Sequence, residues 1–276
     1  MGRLIADSGG TKTDWAFITD KGSQYFKGSG LHPAYMTSGE MSASIEKTVR
    51  ETPDEIFFYG AGCHGEVPAG KVRRVLAGVF PDAVIHVTDD LTGVARAHLQ
   101  QEDGLIAALG TGSICGRYQS GEIIARSAAL GYAIGDEGSG ADLGRAALKS
   151  FFRRELDNKT SELVADRLRE TSYSVWMDKI YGSDRPNREL ASVAGLVFVD
   201  PLTENLRQLI RERFTDFFES QFKSIKPGKN EQVVCTGTVA VAHSNLLQEV
   251  FSSLGYAHVD IREGVIAGLS RYHAFH

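Results

Sequence analysis

Three short turns carry the residues best suited to hold a phosphate or a flat ring. The first turn contains Gly9, Gly10, Thr11, Lys12 and Thr13, and the second contains Thr111, Gly112 and Ser113. Glycine lets backbone N–H groups approach a phosphate closely, and threonine hydroxyls can donate to its oxygens. The third turn, Gly237-Thr238, leaves room for a flat ring against the backbone. Taken alone, each turn is also consistent with an ordinary hairpin or a tight strand-to-helix connection.

The first turn does not match a P-loop. The run Gly10 to Thr13 superficially resembles the end of that motif. A P-loop opens a helix, however, whereas a strand pattern follows Thr13. We therefore expect backbone N–H groups, rather than the Lys12 ammonium, to hold a phosphate here.

Two adjacent acids, Asp89 and Asp90, follow a buried strand pattern and open a helix. An acid at such a place is most often an N-cap, whose side chain accepts from the first N–H groups of the helix. These residue types alone do not decide whether either acid takes part in chemistry.

Apolar runs around the first two turns predict the same unit twice, namely a strand, a turn and a returning strand. Strands alternating with helices predict an α/β protein with mostly parallel or mixed sheets and helices packed on them. The predicted strands are Leu4–Ala6, Trp15–Ile18, Ile56–Tyr59, Ala83–Val87, Leu105–Leu109, Ile114–Tyr118 and Val233–Cys235. The predicted helices are residues 71–80, 139–155, 203–222 and 239–254, and a last one from about Arg262. Residues 160–200 show no clear pattern.

Composition and charge argue against several classes of protein. The net charge of −5 gives no sign of the basic surface patch that binding to nucleic acid or to an anionic membrane requires. No apolar run approaches the roughly 18 residues that span a bilayer, and Met1–Asp7 lacks a signal-peptide core. The three cysteines are widely spaced and odd in number, which disfavours disulfides and zinc sites. We expect a cytoplasmic protein.

The order of the three turns resembles the first phosphate, second phosphate and adenosine segments of the superfamily shared by sugar kinases, heat-shock chaperone ATPases and actin. Gly131–Gly140, which contains GDEGS, and the closing Arg262–Gly268 make the chain most similar to the BadF-type ATPases and N-acetylglucosamine kinases. The resemblance covers nearly the whole chain. It implies an α/β fold of two actin-like (ribonuclease H-like) lobes, each a mixed sheet with flanking helices, around an ATP cleft. Residues 1–104 and 262–276 would form lobe I, and residues 105–261 lobe II.

The resemblance implies an ATP-dependent kinase of N-acetylglucosamine or a related amino sugar. It implies that Asp7 orders Mg²⁺, that Asp90 is the catalytic base at the sugar, and that Asp136 binds sugar hydroxyls. Asp89 would then remain as the helix cap, although the choice between Asp89 and Asp90 stays open. The expected partners are a small-molecule sugar and a second copy of the chain in a homodimer.

Two departures from the family leave the identity of the sugar open. His32 stands where these kinases usually carry a sugar-contacting asparagine, and Leu130 lies where family members often place a tryptophan. Alternative acceptors are N-acetylmuramic acid, glucosamine or an anhydro-sugar. Two further readings are a reductase-activating ATPase, for which Cys115 would be the candidate iron–sulfur ligand, and a nucleotide-dependent sensor.

Overall fold

The computed structural model describes residues 2–274, so Met1 and the last two residues of the predicted closing helix, Phe275 and His276, lie outside the described residues. The chain forms two compact units. Within the described residues, the first unit comprises the chain up to Asp103, Tyr118–Ile123 and the chain from Gly264 onward. The second comprises Gly104–Arg117 and Ile124–Glu263.

The first sheet has five strands, which are β1 (Arg3–Ser8), β2 (Lys12–Thr19), β3 (Gly22–Ser29), β4 (Glu55–Gly60) and β5 (Val84–Asp89). Their order is β3-β2-β1-β4-β5. β1 pairs antiparallel with β2 and parallel with β4, and β4 pairs parallel with β5. Leu4 and Ala6 of the central strand pack into one apolar cluster and Ile5 packs into another. Both faces of β1 are therefore buried.

The second sheet also has five strands, which are β6 (Gly104–Leu109), β7 (Ser113–Gln119), β8 (Glu122–Arg126), β9 (Val233–Thr236) and β10 (Val259–Arg262). Their order is β10-β9-β6-β7-β8, with β9 parallel to both β6 and β10. β6 and β7 form a hairpin, because a three-residue connection can join only antiparallel neighbours. Both sheets are thus mixed, and in each the central strand leads into one of the first two turns.

Helices flank the sheets and supply most of the apolar contacts. In the first part of the chain they are α1 (Ser38–Thr48), α2 (Glu66–Val79) and α3 (Asp90–Leu99). In the second part they are α4 (Gly131–Ile134), α5 (Gly140–Phe152), α6 (Asn158–Leu168), α7 (Tyr173–Tyr181), α8 (Pro186–Val197), α9 (Glu204–Ser220), α10 (Thr238–Ala242) and α11 (Ser244–Ser253). The last helix, α12, is Ile266–Ala274, and a 3₁₀ turn covers Phe222–Ile225.

The predicted fold class is confirmed, since both sheets are mixed and carry flanking helices. The helix predicted over residues 203–222 is found as α9, and its Leu206, Ile210, Phe214 and Phe217 are fully buried. Among residues 2–274, none of the helices has the length and apolarity needed to cross a membrane.

Two predicted helices near the end of the chain are wrong in their limits. The helix predicted over residues 239–254 is two helices, since His243 separates α10 from α11. The helix predicted from about Arg262 begins only at Ile266, because Val259–Arg262 forms the edge strand β10. A four-residue strand that is only partly buried carries too little periodicity to be recognised.

We predict that α5 and α8 tolerate no side chain at Gly144. A Cβ there would lie 1.8 Å from the Leu190 carbonyl oxygen of α8. Gly144→Ala should therefore lower the free energy of unfolding by about 2–3 kcal/mol, as overpacking does. Gly195→Ala in α8 is the matched control, because its Cβ would meet no atom within 4 Å. It should gain about 0.5–1 kcal/mol from helix propensity. Urea titrations of both variants decide the matter, and equal stability would contradict the close packing.

Candidate active site

The carboxyl ends of three parallel strands are in register at one edge of the first sheet. Ser8 of β1 lies beside Gly60 of β4, and Gly60 lies beside Asp89 of β5. The segments that follow these three strands therefore lie at the same edge of the sheet. They are the first turn, the Ala61–Cys63 turn and the start of α3. Ligand sites of open α/β sheets lie outside such carboxyl ends. This edge is the candidate site of the first unit.

The first turn is packed against Gly30 from behind. The Gly30 N–H donates to the Thr11 carbonyl at 3.1 Å. A Cβ on Gly30 would come within 2.5 Å of the Gly9 carbonyl oxygen and 2.6 Å of the Thr11 nitrogen. Only glycine therefore allows this approach. Gly30 was not predicted as a site residue, although it directly precedes the Leu31-His32-Pro33 segment.

A buried pair of hydroxyls joins the two strands of this hairpin. The Ser8 and Thr13 oxygens are 2.8 Å apart, and both residues are fully buried. The Thr13 hydroxyl donates to the Ser29 carbonyl at 2.9 Å, and the Ser8 hydroxyl has both the Thr13 oxygen and the Leu31 carbonyl, at 3.3 Å, as acceptors. We had expected the Thr13 hydroxyl to donate to a phosphate. That expectation is wrong for this structure, since the hydroxyl holds the hairpin instead, whereas the Thr11 side chain is exposed.

Asp7 lies at the carboxyl end of β1, opposite Asp14 of β2. Burial, together with the negative charges of Asp90 and Asp14, raises the pKa of Asp7 to about 7, while Lys12 opposes the rise. Asp7 and Asp90 are therefore close enough to repel each other.

Because a cation would offset the repulsion between these two carboxylates, Asp7 fits the predicted Mg²⁺ site. Within residues 2–274 no group of three or more His, Cys, Asp or Glu side chains could hold a metal ion. Mg²⁺ commonly needs only one or two carboxylates besides phosphate and water.

Asp89 is the N-cap of α3, as predicted. Its carboxylate accepts from the Thr92 N–H at 3.1 Å and from the Thr92 hydroxyl at 3.4 Å. It also lies 3.8 Å from Nδ1 of His64. Asp90 is the first residue of the helix, and its Oδ1 accepts from the Leu91 N–H at 3.0 Å. The Asp89 carboxylate is thus engaged in capping α3. Asp90 is the acid whose charge acts on Asp7.

His32 packs beside the turn that follows β4. A Cβ on Gly62 would lie 2.5 Å from Cε1 of the His32 ring, and Gly62 adopts the left-handed φ of +76°. The Ala34 N–H donates to Nδ1 of His32 at 3.2 Å. In the neutral ring the proton is therefore on Nε2. Lys71 fixes this segment by donating to the carbonyls of Pro33 and Met36, both at 2.6 Å.

The second turn is held by α5 and by Asp136. The first N–H groups of α5, from Gly140 and Ala141, donate to the carbonyls of Gly110 and Thr111. Oδ1 of Asp136 accepts from the Ser113 N–H at 3.3 Å, and its carboxylate lies over Gly112, where a Cβ would be 3.0 Å away.

Asp136 occupies an unusual local environment. It adopts a left-handed φ of +58°, and burial raises the pKa of its carboxyl although the Ser113 N–H opposes the rise. The structure thus brings Asp136 to the second turn, whereas the resemblance implied sugar hydroxyls as its partners.

The third turn touches the end of β6. Gly237 has a φ of +101°, and a Cβ there would lie 2.3 Å from the Leu109 carbonyl oxygen. Thr238 begins α10 directly after it. Because β9 is parallel to β6, with Thr236 beside Ala108, the second and third turns lie at the same edge of the second sheet. The two turns predicted to bind nucleotide in this unit are therefore neighbours.

Leu130 lies at the N-cap of the four-residue helix α4 and is 54% exposed. Ile134, at the end of the same helix, is 73% exposed. The segment before Asp136 thus presents apolar side chains to solvent.

Two other features of the second unit do not support a site. Cys115, the candidate iron–sulfur ligand, is fully buried in the core, and burial raises the pKa of its thiol to about 11. The thiolate that a cluster requires is therefore disfavoured. An open groove of about 530 Å³ is lined by Gln232, His258 and Val259 among others. It lies at the amino ends of β9 and β10, the opposite ends from Gly237.

Several known proteins match the chain along most of its length. The N-acetylmuramic acid/N-acetylglucosamine kinase of Clostridium acetobutylicum is 27% identical, over 92% of this chain and 91% of that protein. A solved structure from Porphyromonas gingivalis, provisionally assigned as an N-acetylglucosamine kinase, is 28% identical and covers 98% of both chains with a TM-score of 0.89.

A second solved structure supports the fold alone. It is from Chromobacterium violaceum, has the same provisional assignment, and is 19% identical with a TM-score of 0.76 over 100% of this chain and 99% of that one. No family model matches the sequence.

We predict that Gly30→Ala damages the first turn. Because its Cβ would meet backbone atoms of Gly9, Gly10 and Thr11 within 2.6 Å, the turn must shift. Affinity for MgATP should fall roughly tenfold or more, as a displacement of about 1 Å in a binding group can cause. Gly39→Ala in α1 is the control, since its Cβ would meet nothing within 4 Å. Calorimetric titration with MgATP compares them. Wild-type affinity in a folded Gly30→Ala protein would show that this turn does not hold nucleotide.

Proposed function

We propose that the chain, which is similar along most of its length to N-acetylglucosamine kinases, transfers the γ-phosphoryl group of ATP to a hydroxyl of an amino sugar. The observation that carries this proposal is the edge of the first sheet, where a glycine turn and the carboxylates of Asp7 and Asp90 lie together. Phosphoryl transfer requires mainly positioned N–H groups, a metal ion and an acid that accepts the proton of the attacking hydroxyl.

Backbone N–H groups of the two glycine turns hold the phosphate oxygens of ATP in this proposal. The N–H groups of Gly10 and Thr11 act in the first unit, where the Gly9 N–H closes the turn by donating to the Lys12 carbonyl at 3.0 Å, and those of Thr111 to Ser113 act in the second. The tight packing behind each turn supports it, since Gly30 and the first N–H groups of α5 fix the backbone. Gly237 and Thr238 are proposed to lie against the adenosine. Lys12 has a lesser role, because its ammonium lies 2.8 Å from Asp14.

Asp90 is the proposed general base. It accepts the proton of the sugar hydroxyl as that oxygen attacks the γ-phosphorus. Asp89 is unsuited because its carboxylate caps α3. Asp7 would hold Mg²⁺, which supplies charge neutralisation at the phosphates when bound. The pKa of Asp7 is raised by burial and by the charges of Asp90 and Asp14, and the repulsion between these carboxylates supports a cation at this place.

The proposed acceptor is N-acetylglucosamine, with N-acetylmuramic acid second. The name of the Clostridium acetobutylicum relative includes both sugars. His32 can offer its Nε2–H to a sugar oxygen, and Asp136 can accept from sugar hydroxyls through its carboxylate. The exposed Leu130 is compatible with an apolar substituent on the sugar. A cytoplasmic location and a homodimer remain predictions from the sequence.

A panel of sugars tests the proposed function. ADP release is measured at saturating MgATP with N-acetylglucosamine, N-acetylmuramic acid, glucosamine and glucose. We expect the N-acetyl sugars to exceed glucose in kcat/KM, because a site that hydrogen-bonds a polar substituent strongly rejects an analogue lacking it. Glucose turned over as efficiently as both N-acetyl sugars would refute the amino-sugar proposal. An absence of turnover with every sugar would favour the sensor or activator alternatives.

We predict that Asp90→Asn lowers kcat for sugar phosphorylation roughly 10²-fold or more, because the amide cannot accept the proton. Its affinity for MgATP should stay near that of the wild type. Asp89→Asn is the matched control, since asparagine caps helices about as well as aspartate. It should keep most of its activity and its melting temperature. The opposite pattern, with Asp89→Asn inactive and Asp90→Asn active, would move the base by one residue.

A further inference from the structure

Gln221 is a buried polar residue inside the apolar core of the second unit. The α9 stripe runs through Leu206, Ile210, Phe214 and Phe217, and the next position at helical spacing is 221. Instead of an apolar residue, the chain has glutamine there, only 6% exposed and followed by the buried Phe222. A buried amide is costly unless its donors and acceptor all find partners.

Every polar hydrogen and the carbonyl of this amide have a partner. Nε2 donates to the Ser113 hydroxyl at 2.8 Å and to Oε2 of Glu137 at 2.9 Å. Oε1 accepts from the Ser127 hydroxyl at 3.1 Å. The orientation of the amide is determined, because the reverse would set its carbonyl against the Glu137 carboxylate.

The two serine partners of the Gln221 amide are themselves hydrogen-bonded to backbone groups. The Ser113 hydroxyl donates to the Glu137 carbonyl at 2.7 Å, and the Ser127 oxygen accepts from the Cys115 N–H at 3.1 Å. Gln221 thereby joins the start of β7, the segment after β8 and the GDEGS segment. Ser113 is the last residue of the second turn.

We propose that Gln221 is a positioning residue that sets the second phosphate turn against the GDEGS segment. By fixing Ser113 and Glu137 together, it determines where the N–H groups of Gly112 and Ser113 point. The proposal rests on the proposed function, because that function assigns phosphate binding to this turn. A polar network with all members satisfied specifies one geometry, whereas an apolar residue at this position would leave two serine hydroxyls and a carboxylate to rearrange.

Two substitutions at Gln221 test the proposal by calorimetric titration with MgATP in the absence of sugar. Gln221→Met keeps the volume and removes the network. Gln221→Glu keeps the shape but sets a second carboxylate against Glu137. Both should weaken MgATP binding roughly tenfold or more. Ile210→Val, a core substitution in the same helix, is the control for lost stability and should leave MgATP affinity unchanged.

A rescue separates positioning from a merely structural role. The double variant Gln221→Glu with Glu137→Gln exchanges the donor and the acceptor, so it should recover part of the affinity that Gln221→Glu loses. If Gln221→Met does not fold, the Gln221→Glu variant and its rescue still decide the question. Wild-type MgATP affinity in Gln221→Glu, or a double variant no better than Gln221→Glu, would overturn the proposal.

The same titration separates this inference from the proposed function. A wild-type protein that binds MgATP but phosphorylates no sugar would refute the kinase proposal and leave the Gln221 comparison intact. A wild-type protein that binds no MgATP would refute both.

Discussion

The arrangement of each unit depends on one constraint, namely that its central strand, buried on both faces, ends in a glycine turn that the rest of the unit must hold in place. β1 and β6 are both central strands, and each leads directly into a glycine-containing turn. Backbone N–H groups bind phosphate well only if the turn is held in place, since a mobile turn loses entropy on binding. Both turns are therefore packed from behind, by Gly30 in the first unit and by the start of α5 in the second. Glycines support the site from positions that are not themselves at the ligand.

The electrostatics of the first unit follow from the same alignment of strand ends. Asp7 precedes the first turn and Asp90 opens α3, so the register that builds the site also brings two carboxylates together. Lys12 partly offsets this charge, while burial and, after it, the remaining repulsion raise the pKa of Asp7. A divalent cation bound at this edge, as proposed, would relieve that repulsion.

The sequence predicts the buried parts of this fold better than its edges. β1 and β6 were recognisable as continuous apolar runs because both of their faces are covered. β3 was missed since most of its residues are exposed, and α6, α7 and α8 were missed because their apolar positions are interrupted by polar residues. Among the site residues, the glycine turns could be predicted from local chemistry. Gly30 and Gln221 could not, because their importance lies in contacts with residues about 20 and 100 positions away in the chain. For Gln221 one signal was present, which was a polar residue at an apolar stripe position.

Asp136 shows how the second turn and the acceptor sugar could be coupled. Its carboxylate has two oxygens, and Oδ1 already accepts from the Ser113 N–H. If Asp136 binds a sugar hydroxyl as proposed, that hydroxyl can donate to Oδ2 or to the second lone pair of Oδ1, beside the Ser113 N–H. Since the positive φ of Asp136 and the Gly112 beneath it define this contact, the geometry of one residue links the atoms proposed to hold the phosphate to those proposed to hold the sugar.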